Sequence, residues 1–180
     1  MNRKAKLTTS IIAVIIILIL MSIAIWASTV RYGIGGDISI MSPNLQTTIT
    51  GKVWGHKSHN LTEETAEILQ GTTWDDETSE NNFSFERLDL KFVNTYTPIV
   101  IQISIKNDEG YVDANPINVE VLNETNTEGK NFSITIESSG TAQENKIAIG
   151  ETIVFTITLA VAEAGQRAGG DFSVSFLLSK

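Results

Sequence analysis

The chain has 180 residues, with 13 Lys and Arg against 21 Asp and Glu and no cysteine. Without Arg3, Lys4 and Lys6 of the N-terminal segment, 10 basic residues face 21 acids, a formal charge of −11 that repels phosphate backbones and makes nucleic acid an unsuitable partner. The lack of cysteine excludes thiolate metal sites, cysteine nucleophiles and disulfide staples, so stability has to come from a buried core.

The first element is apolar. Leu7 to Ala27 is almost free of polar side chains, and as a helix it is long enough to cover a hydrocarbon core about 30 Å thick while satisfying its own backbone. Arg3, Lys4 and Lys6 precede it and only Arg31 follows closely, which puts the N-terminus in the cytoplasm, Trp26 at the outer interface and the body outside. The segment exceeds the usual apolar stretch of a signal peptide, which favours a retained anchor. Ser22-Ile23-Ala24 and Ile25-Trp26-Ala27 nevertheless end in small residues where a signal peptidase could cut. Residues 1–27 are therefore a transmembrane anchor or a signal segment, residues 28–36, with Gly33, Gly35 and Gly36, a flexible joint, and residues 37–180 one extracytoplasmic domain.

Beyond Ser28 the apolar residues alternate with polar ones, the period of strands with one buried face. Asp37 to Met41, Leu45 to Trp54 and Phe83 to Phe92 are strand candidates. Between the last two, Asn60 followed by Glu63 resembles a capping box, and the stretch to Gln70 predicts a short surface helix closed by Gly71. Thr72 to Asn82 reads as an exposed acidic loop. The clearest strand is Pro98 to Lys106, with Ile99, Ile101, Ile103 and Ile105 on one face. It is followed by Ile117, Val119 and Val121, by Phe132, Ile134 and Ile136, and by Lys146 to Ile149. Ile153, Phe155, Ile157, Leu159 and Val161 come next, and Phe172, Val174, Phe176 and Leu178 close the series. Eight or nine one-sided strands without helical crossovers predict an all-β fold, an antiparallel β-sandwich of jelly-roll or Ig-like type.

Chemistry is sparse. His56 and His59 are the two histidines, and with Asp75, Asp76 or Glu77 they could hold zinc. The HExxH arrangement is absent, and Lys57 and Ser58 supply no base, so exposed loop histidines are the plainer account. Asp75, Asp76 and Glu77, or Asp108, Glu109 and Asp113, offer oxygen ligands to calcium without EF-hand spacing, and a solvated charge run is the plainer account of them. Asn60, Asn82, Asn123 and Asn131 stand in N-x-S/T sequons. Trp54, Trp74 and Tyr96 could line a carbohydrate face, although aromatic residues of a sandwich more often fill its core. No nucleophile-elbow pattern anchors hydrolase chemistry, and nothing implies a cofactor or names a small-molecule ligand.

The order of TITGKVWG, FERLDLKF, PIVIQISIKN, IAIGETIVFTITLAVA and a terminal DFSVSFLL, behind a basic start and a long apolar segment, resembles exported surface proteins of Gram-positive bacteria of the TasA and camelysin type. The Gly150-Glu151 turn ahead of a long alternating strand is similar to bacterial Ig-like or jelly-roll modules. The resemblance implies a noncatalytic surface protein, structural or adhesive, and in the TasA branch a homo-oligomeric fibre of the biofilm matrix in which an N-terminal strand completes the next subunit's sheet. Here the candidate for that donor is Ile34 to Ile40, with Ile34, Ile38 and Ile40 as its candidate residues. The camelysin branch implies a surface metallopeptidase centred on His56 and His59. A membrane-tethered module for calcium or glycan is a third expectation.

Overall fold

A computed structural model describes residues 32–42, 45–74, 82–109, 116–126, 131–140, 145–162 and 168–180. The expected Leu7 to Ala27 helix lies outside the described residues, and among the described residues no helix is long and apolar enough to cross a membrane. Met1–Arg31 and Tyr32–Lys180 are separate compact units, and the second carries the fold.

Two sheets build the domain. The larger contains β1 (Tyr32–Met41), β4 (Gly71–Trp74), β5 (Asn82–Phe85), β6 (Leu88–Phe92), β8 (Ile117–Asn126), β10 (Lys146–Ile147) and β12 (Gly170–Ser179), in the order β10-β8-β12-β1-β5-β4 with β6 also on β1. The smaller runs β3 (Glu67–Ile68), β2 (Thr47–Trp54), β7 (Ile99–Asn107), β11 (Thr152–Val161) and β9 (Phe132–Gly140). From β6 to β12 the chain changes sheet at every connection, so neither sheet can finish before the other.

One core joins the sheets, filled from the positions that alternation marks. Ile99, Ile101, Ile103 and Ile105 of β7 are fully buried, and Ile153, Phe155, Ile157 and Leu159 of β11 and Phe172, Val174, Phe176 and Leu178 of β12 line the same interior. Phe155 and Phe176 meet across it with ring centroids 4.7 Å apart. Burying each such side chain contributes on the order of 2 kcal/mol, which lets a domain without disulfides hold together.

Several expectations change. The fold is a β-sandwich, but it is not wholly antiparallel, because β1 runs parallel to β12 from Ile34↔Gly170 to Met41↔Leu177. Gly33, Gly35 and Gly36, expected in a flexible joint, are strand residues of β1, paired with Lys91, Asp89 and Leu88 of β6. The described residues form twelve strands rather than eight or nine. Part of the excess comes from Phe83 to Phe92, which breaks at Glu86 and Arg87 into β5 and β6. The rest is short, β3 and β4, the latter at the start of the expected acidic loop, while the expected Lys146 to Ile149 shortens to β10.

The predicted helix between Asn60 and Gln70 is a single 3-10 turn, Glu63–Thr65, capped by Thr62 with Thr65 rather than by Asn60 with Glu63. Extended chain replaces the rest, because the edge of β2 takes a partner there: Val53 pairs with Glu67, Lys52 with Ile68, and Leu69 N–H donates to Gly51 O at 2.9 Å. Tertiary pairing outweighs the helical propensity of this acidic stretch.

Candidate functional site: the first strand and the turn at His56

β1 is enclosed on both edges. β12 pairs along one edge, while β6 covers residues 32–36 and β5 covers Ser39 and Ile40 on the other. Its inward residues follow period two, and Ile34, Ile38 and Ile40 are buried to within a few per cent. The fourth inward position is Gly36, where an added Cβ would lie 2.1 Å from Cε1 of Phe172, so the missing side chain is the space that the Phe172 ring occupies. On the outward face Gly35 serves a second purpose. Arg87 reaches over it to pair with Asp37 Oδ2 at 2.8 Å and Asp171 Oδ1 at 2.6 Å, and a Cβ there would meet both Arg87 and Asp171. The guanidinium thus spans from β12 to β1 across the glycine. Two residues further on, Ser39 Oγ and Ser175 Oγ are hydrogen-bonded at 3.0 Å.

The structure places the sequence-predicted donor residues Ile34, Ile38 and Ile40 together, on a strand completing the sheet of its own chain. Arg87, Gly36 and Phe172 were not legible as parts of this site, because their meeting depends on the β1–β12 register.

The histidines part company. Gly55–Asn60 is a tight turn closed by Gly55 N–H to Asn60 O at 2.6 Å, Asn60 N–H to Lys57 O at 3.0 Å and Lys57 N–H to Asn60 Oδ1 at 2.8 Å. This geometry turns the His56 ring inward and leaves His59 exposed. Glu67 Oε2 lies 3.4 Å from His56 Nε2, yet it is aligned on Lys57 Nζ at 2.5 Å, and Nε2 makes no hydrogen bond. Burial, then the neighbouring Lys57 ammonium, holds the His56 imidazole below its ordinary pKa, and the opposing pull of Glu67 is outweighed. The Glu67 carboxyl is itself held low, chiefly by its hydrogen bond to Lys57. At neutral pH His56 is therefore a neutral ring beside a carboxylate already paired with lysine.

Two potential ligands, His56 Nε2 and Glu67, adjoin a cleft of about 170 Å³. That is below the roughly 300 Å³ at which drug-sized pockets begin. Among the described residues no group of three His, Asp or Glu could hold a metal ion. Asp75, Asp76 and Glu77 lie outside the described residues. The strands flanking them, β4 and β5, end at Trp74↔Asn82, at the opposite end of the sandwich from the His56 turn. Glu67 was the neighbour missed, because only the β2–β3 pairing carries it back to His56.

The other candidate acids are engaged. Asp108 accepts from Thr48 Oγ1 and Lys106 Nζ, and the lysine hydrogen bond is the chief reason that its carboxyl is held below the usual range. Glu109 accepts from Gln46 N–H at 3.1 Å and pairs with Lys180 at 2.9 Å, while Asp113 lies outside the described residues. Of the sequons, Asn60 and Asn82 are buried, which closes them to a glycan in the folded domain; Asn131 is half-buried, and the Asn123 side chain lies outside the description. Trp54 and Tyr96 are not core residues: Trp54 is half-buried with Lys52 Nζ 5.8 Å from its ring centroid, and Tyr96 is 86% exposed. The side chain of Trp74 lies outside the description.

Fold and site together define a β-sandwich whose first strand is enclosed between its last strand and two middle ones. Compared with family models and with curated proteins, the chain matches none.

Proposed function

We propose that this chain is a noncatalytic surface protein displayed outside the membrane, structural or adhesive, of the TasA and camelysin type and built on a jelly-roll or Ig-like module, in which β1 can be exchanged between copies. The alternation of the chain between two sheets supports the module. The observation that carries the exchange is the seating of β1. Its edges are both paired, and its inward set of Ile34, Gly36, Ile38 and Ile40 fits pockets that the rest of the chain supplies. A β1 from a second copy would find the same hydrogen bonds and the same hole beside Phe172, so exchange conserves the interactions while linking subunits. If Leu7 to Ala27 stays in the membrane, exchange is confined to neighbours in that membrane.

Ser39 and Ser175 provide the test, since their hydroxyls touch and the chain carries no cysteine of its own to interfere. With Ser39→Cys and Ser175→Cys together, oxidation of dispersed protein should give a monomer with an internal disulfide that no longer assembles. Oxidation after assembly should give a covalent ladder on a denaturing gel. Assembled material that yields only internally linked monomers would refute the exchange.

A further inference from the structure

Among the described residues five strands have a single neighbour, and four of them are short or charged: β3 and β10 have two residues each, β4 has four, and β6 has five with Asp89 and Lys91 exposed. The fifth, β9, has nine, Phe132–Gly140. Natural proteins blunt long edges with lysine, proline or a bulge, because open backbone groups invite another strand. β9 has none of these: its one charge is Glu137, and its register with β11 runs unshifted from Phe132 to Gly140. One hydrogen bond fixes the direction of its backbone groups. Ala162 N–H donates to Asn131 O at 2.8 Å, and in the β11–β9 register this makes the odd-numbered residues of β9 the ones bonded to β11. Ile134 and Ile136 therefore direct N–H and C=O away from β11, to the open edge. Their side chains turn inward beside Leu159 and Ile157, yet both are only half-buried where those two are fully buried. On the outer face Ser133, Thr135, Glu137 and Ser139 are exposed, and the adjoining β11 positions, Thr156, Thr158 and Ala160, carry no charge. In sequence, Glu128 and Lys130 precede the strand and Glu144 follows it.

We propose that β9 pairs antiparallel with β9 of a second copy of this chain, about a two-fold axis through Thr135. The strand's complementarity to itself selects that occupant, since a two-fold contact places the same patch on both sides. With Thr135 on the axis, Ile134 and Ile136 face the partner subunit's Ile136 and Ile134. These two pairs exchange four backbone hydrogen bonds, and the half-buried isoleucines cover one another. Thr135 meets its own copy, a favourable cross-strand pair, and Glu137 lies opposite the partner's Ser133. The two Glu137 carboxylates are then four residue steps apart along the strands, about 13 Å, which exceeds the screening length of about 8 Å at physiological salt. Moving the axis to Ile136 brings them to about 7 Å along the strands, and moving it to Ile134 cuts the paired span from residues 132–138 to residues 132–136. The charge and the isoleucines thus favour one register. Because β1 keeps its place in its own chain, the contact is independent of strand exchange and joins the smaller sheets of two copies into one continuous sheet.

The full chain in detergent micelles tests this with single-cysteine variants, since the natural sequence has no cysteine. Residues opposite each other without a hydrogen bond have Cα atoms about 4.5 Å apart, within the span of a disulfide. On mild oxidation Thr135→Cys should therefore link to its own copy several-fold faster than Glu137→Cys, Ser139→Cys or Ser58→Cys on the exposed turn. Thr135→Lys sets two ammonium groups face to face at an exposed position, and should convert the dimer to monomer in sedimentation while leaving the circular dichroism spectrum unchanged. A link at Thr135→Cys no faster than at Ser58→Cys, a faster link at Glu137→Cys, or a dimer that survives Thr135→Lys would each overturn the interface, as would a wild-type chain that sediments as a monomer at every concentration. The two interfaces fail separately. A ladder from the Ser39→Cys, Ser175→Cys double variant without a Thr135→Cys link upholds exchange and overturns the β9 pairing, and a Thr135→Cys link without the ladder does the reverse.

Discussion

Gly36 and Phe172 give the sharpest quantitative test of how β1 is seated. A Cβ on Gly36 would lie 2.1 and 2.2 Å from Cε1 and Cζ of a ring that is only 2% exposed. Real contacts of that kind stay beyond about 3 Å, so in Gly36→Ala the ring or the strand must shift by roughly 1 Å in a close-packed interior. Overpacking of this size costs about 1–3 kcal/mol. Part of that is offset because alanine suits a strand better than glycine by up to about 1 kcal/mol, leaving a net loss of about 1–2 kcal/mol. Phe172→Leu alone loses ring contacts and leaves a void, at a cost of about 1–3 kcal/mol. In the double variant the methyl group occupies the vacated space, so the two losses should fall short of adding by about 1 kcal/mol or more. Urea unfolding of all four proteins, followed by far-ultraviolet circular dichroism, measures the cycle. Strict additivity, or a neutral Gly36→Ala, would refute the packing of β1 against β12 through this hole.

Four further outcomes follow from the geometry. Ile103→Ala and Ile157→Ala, both at fully buried sites, should each destabilise the domain by about 2–5 kcal/mol in the same unfolding assay. Because the folded pKa of His56 lies below its unfolded value near 6.5, the unfolded state binds the extra proton first; stability should be complete above pH 6.5 and decline as the pH falls below it. Melting curves between about pH 7.5 and 5 should show this decline, and His56→Gln should flatten it. Arg87→Ala should cost no more than about 1 kcal/mol and lose even that in high salt, since the guanidinium and both carboxylates are more than half exposed. Asn60→Ala removes the acceptor that closes the His56 turn, and a loss of about 1 kcal/mol, read from the thermal midpoint, is expected.

The core was legible because it obeys a local rule. Every second residue of Ile99 to Ile105, Ile153 to Leu159 and Phe172 to Leu178 faces inward, and neighbours two apart are enough to show it. The break in Phe83 to Phe92 was also present in the pattern. Phe83 and Phe85 occupy odd positions while Leu88, Leu90 and Phe92 occupy even ones, a phase change that one uninterrupted strand cannot accommodate. The stretch after Asn60 misled because its helix-forming acids carry no record of the β2 edge awaiting a partner. Glycines 33, 35 and 36 misled for a related reason: their missing side chains read as freedom, whereas Gly35 and Gly36 make room for Arg87 and Phe172. For the site, His56 and Glu67 become neighbours only when β3 turns back on β2, and Arg87 finds Asp171 only through the β1–β12 register. Such long-range meetings leave no periodic trace.

The parallel pairing of β1 with β12 also sets an order of events. Ser39 and Ser175 are separated by 136 residues, so β1 must wait for that length of chain to follow it before its long edge is filled by β12. Contacts of such large sequence separation form slowly, because the intervening loop has to be closed before they contribute. At a synthesis rate of roughly 5–20 residues per second the wait lasts on the order of ten seconds. During it β1 presents open backbone groups and three isoleucines to whatever neighbour is emerging beside it. The interval of vulnerability in folding would also be the interval in which the proposed exchange of β1 between copies could begin, and its length is set by the chain's connectivity.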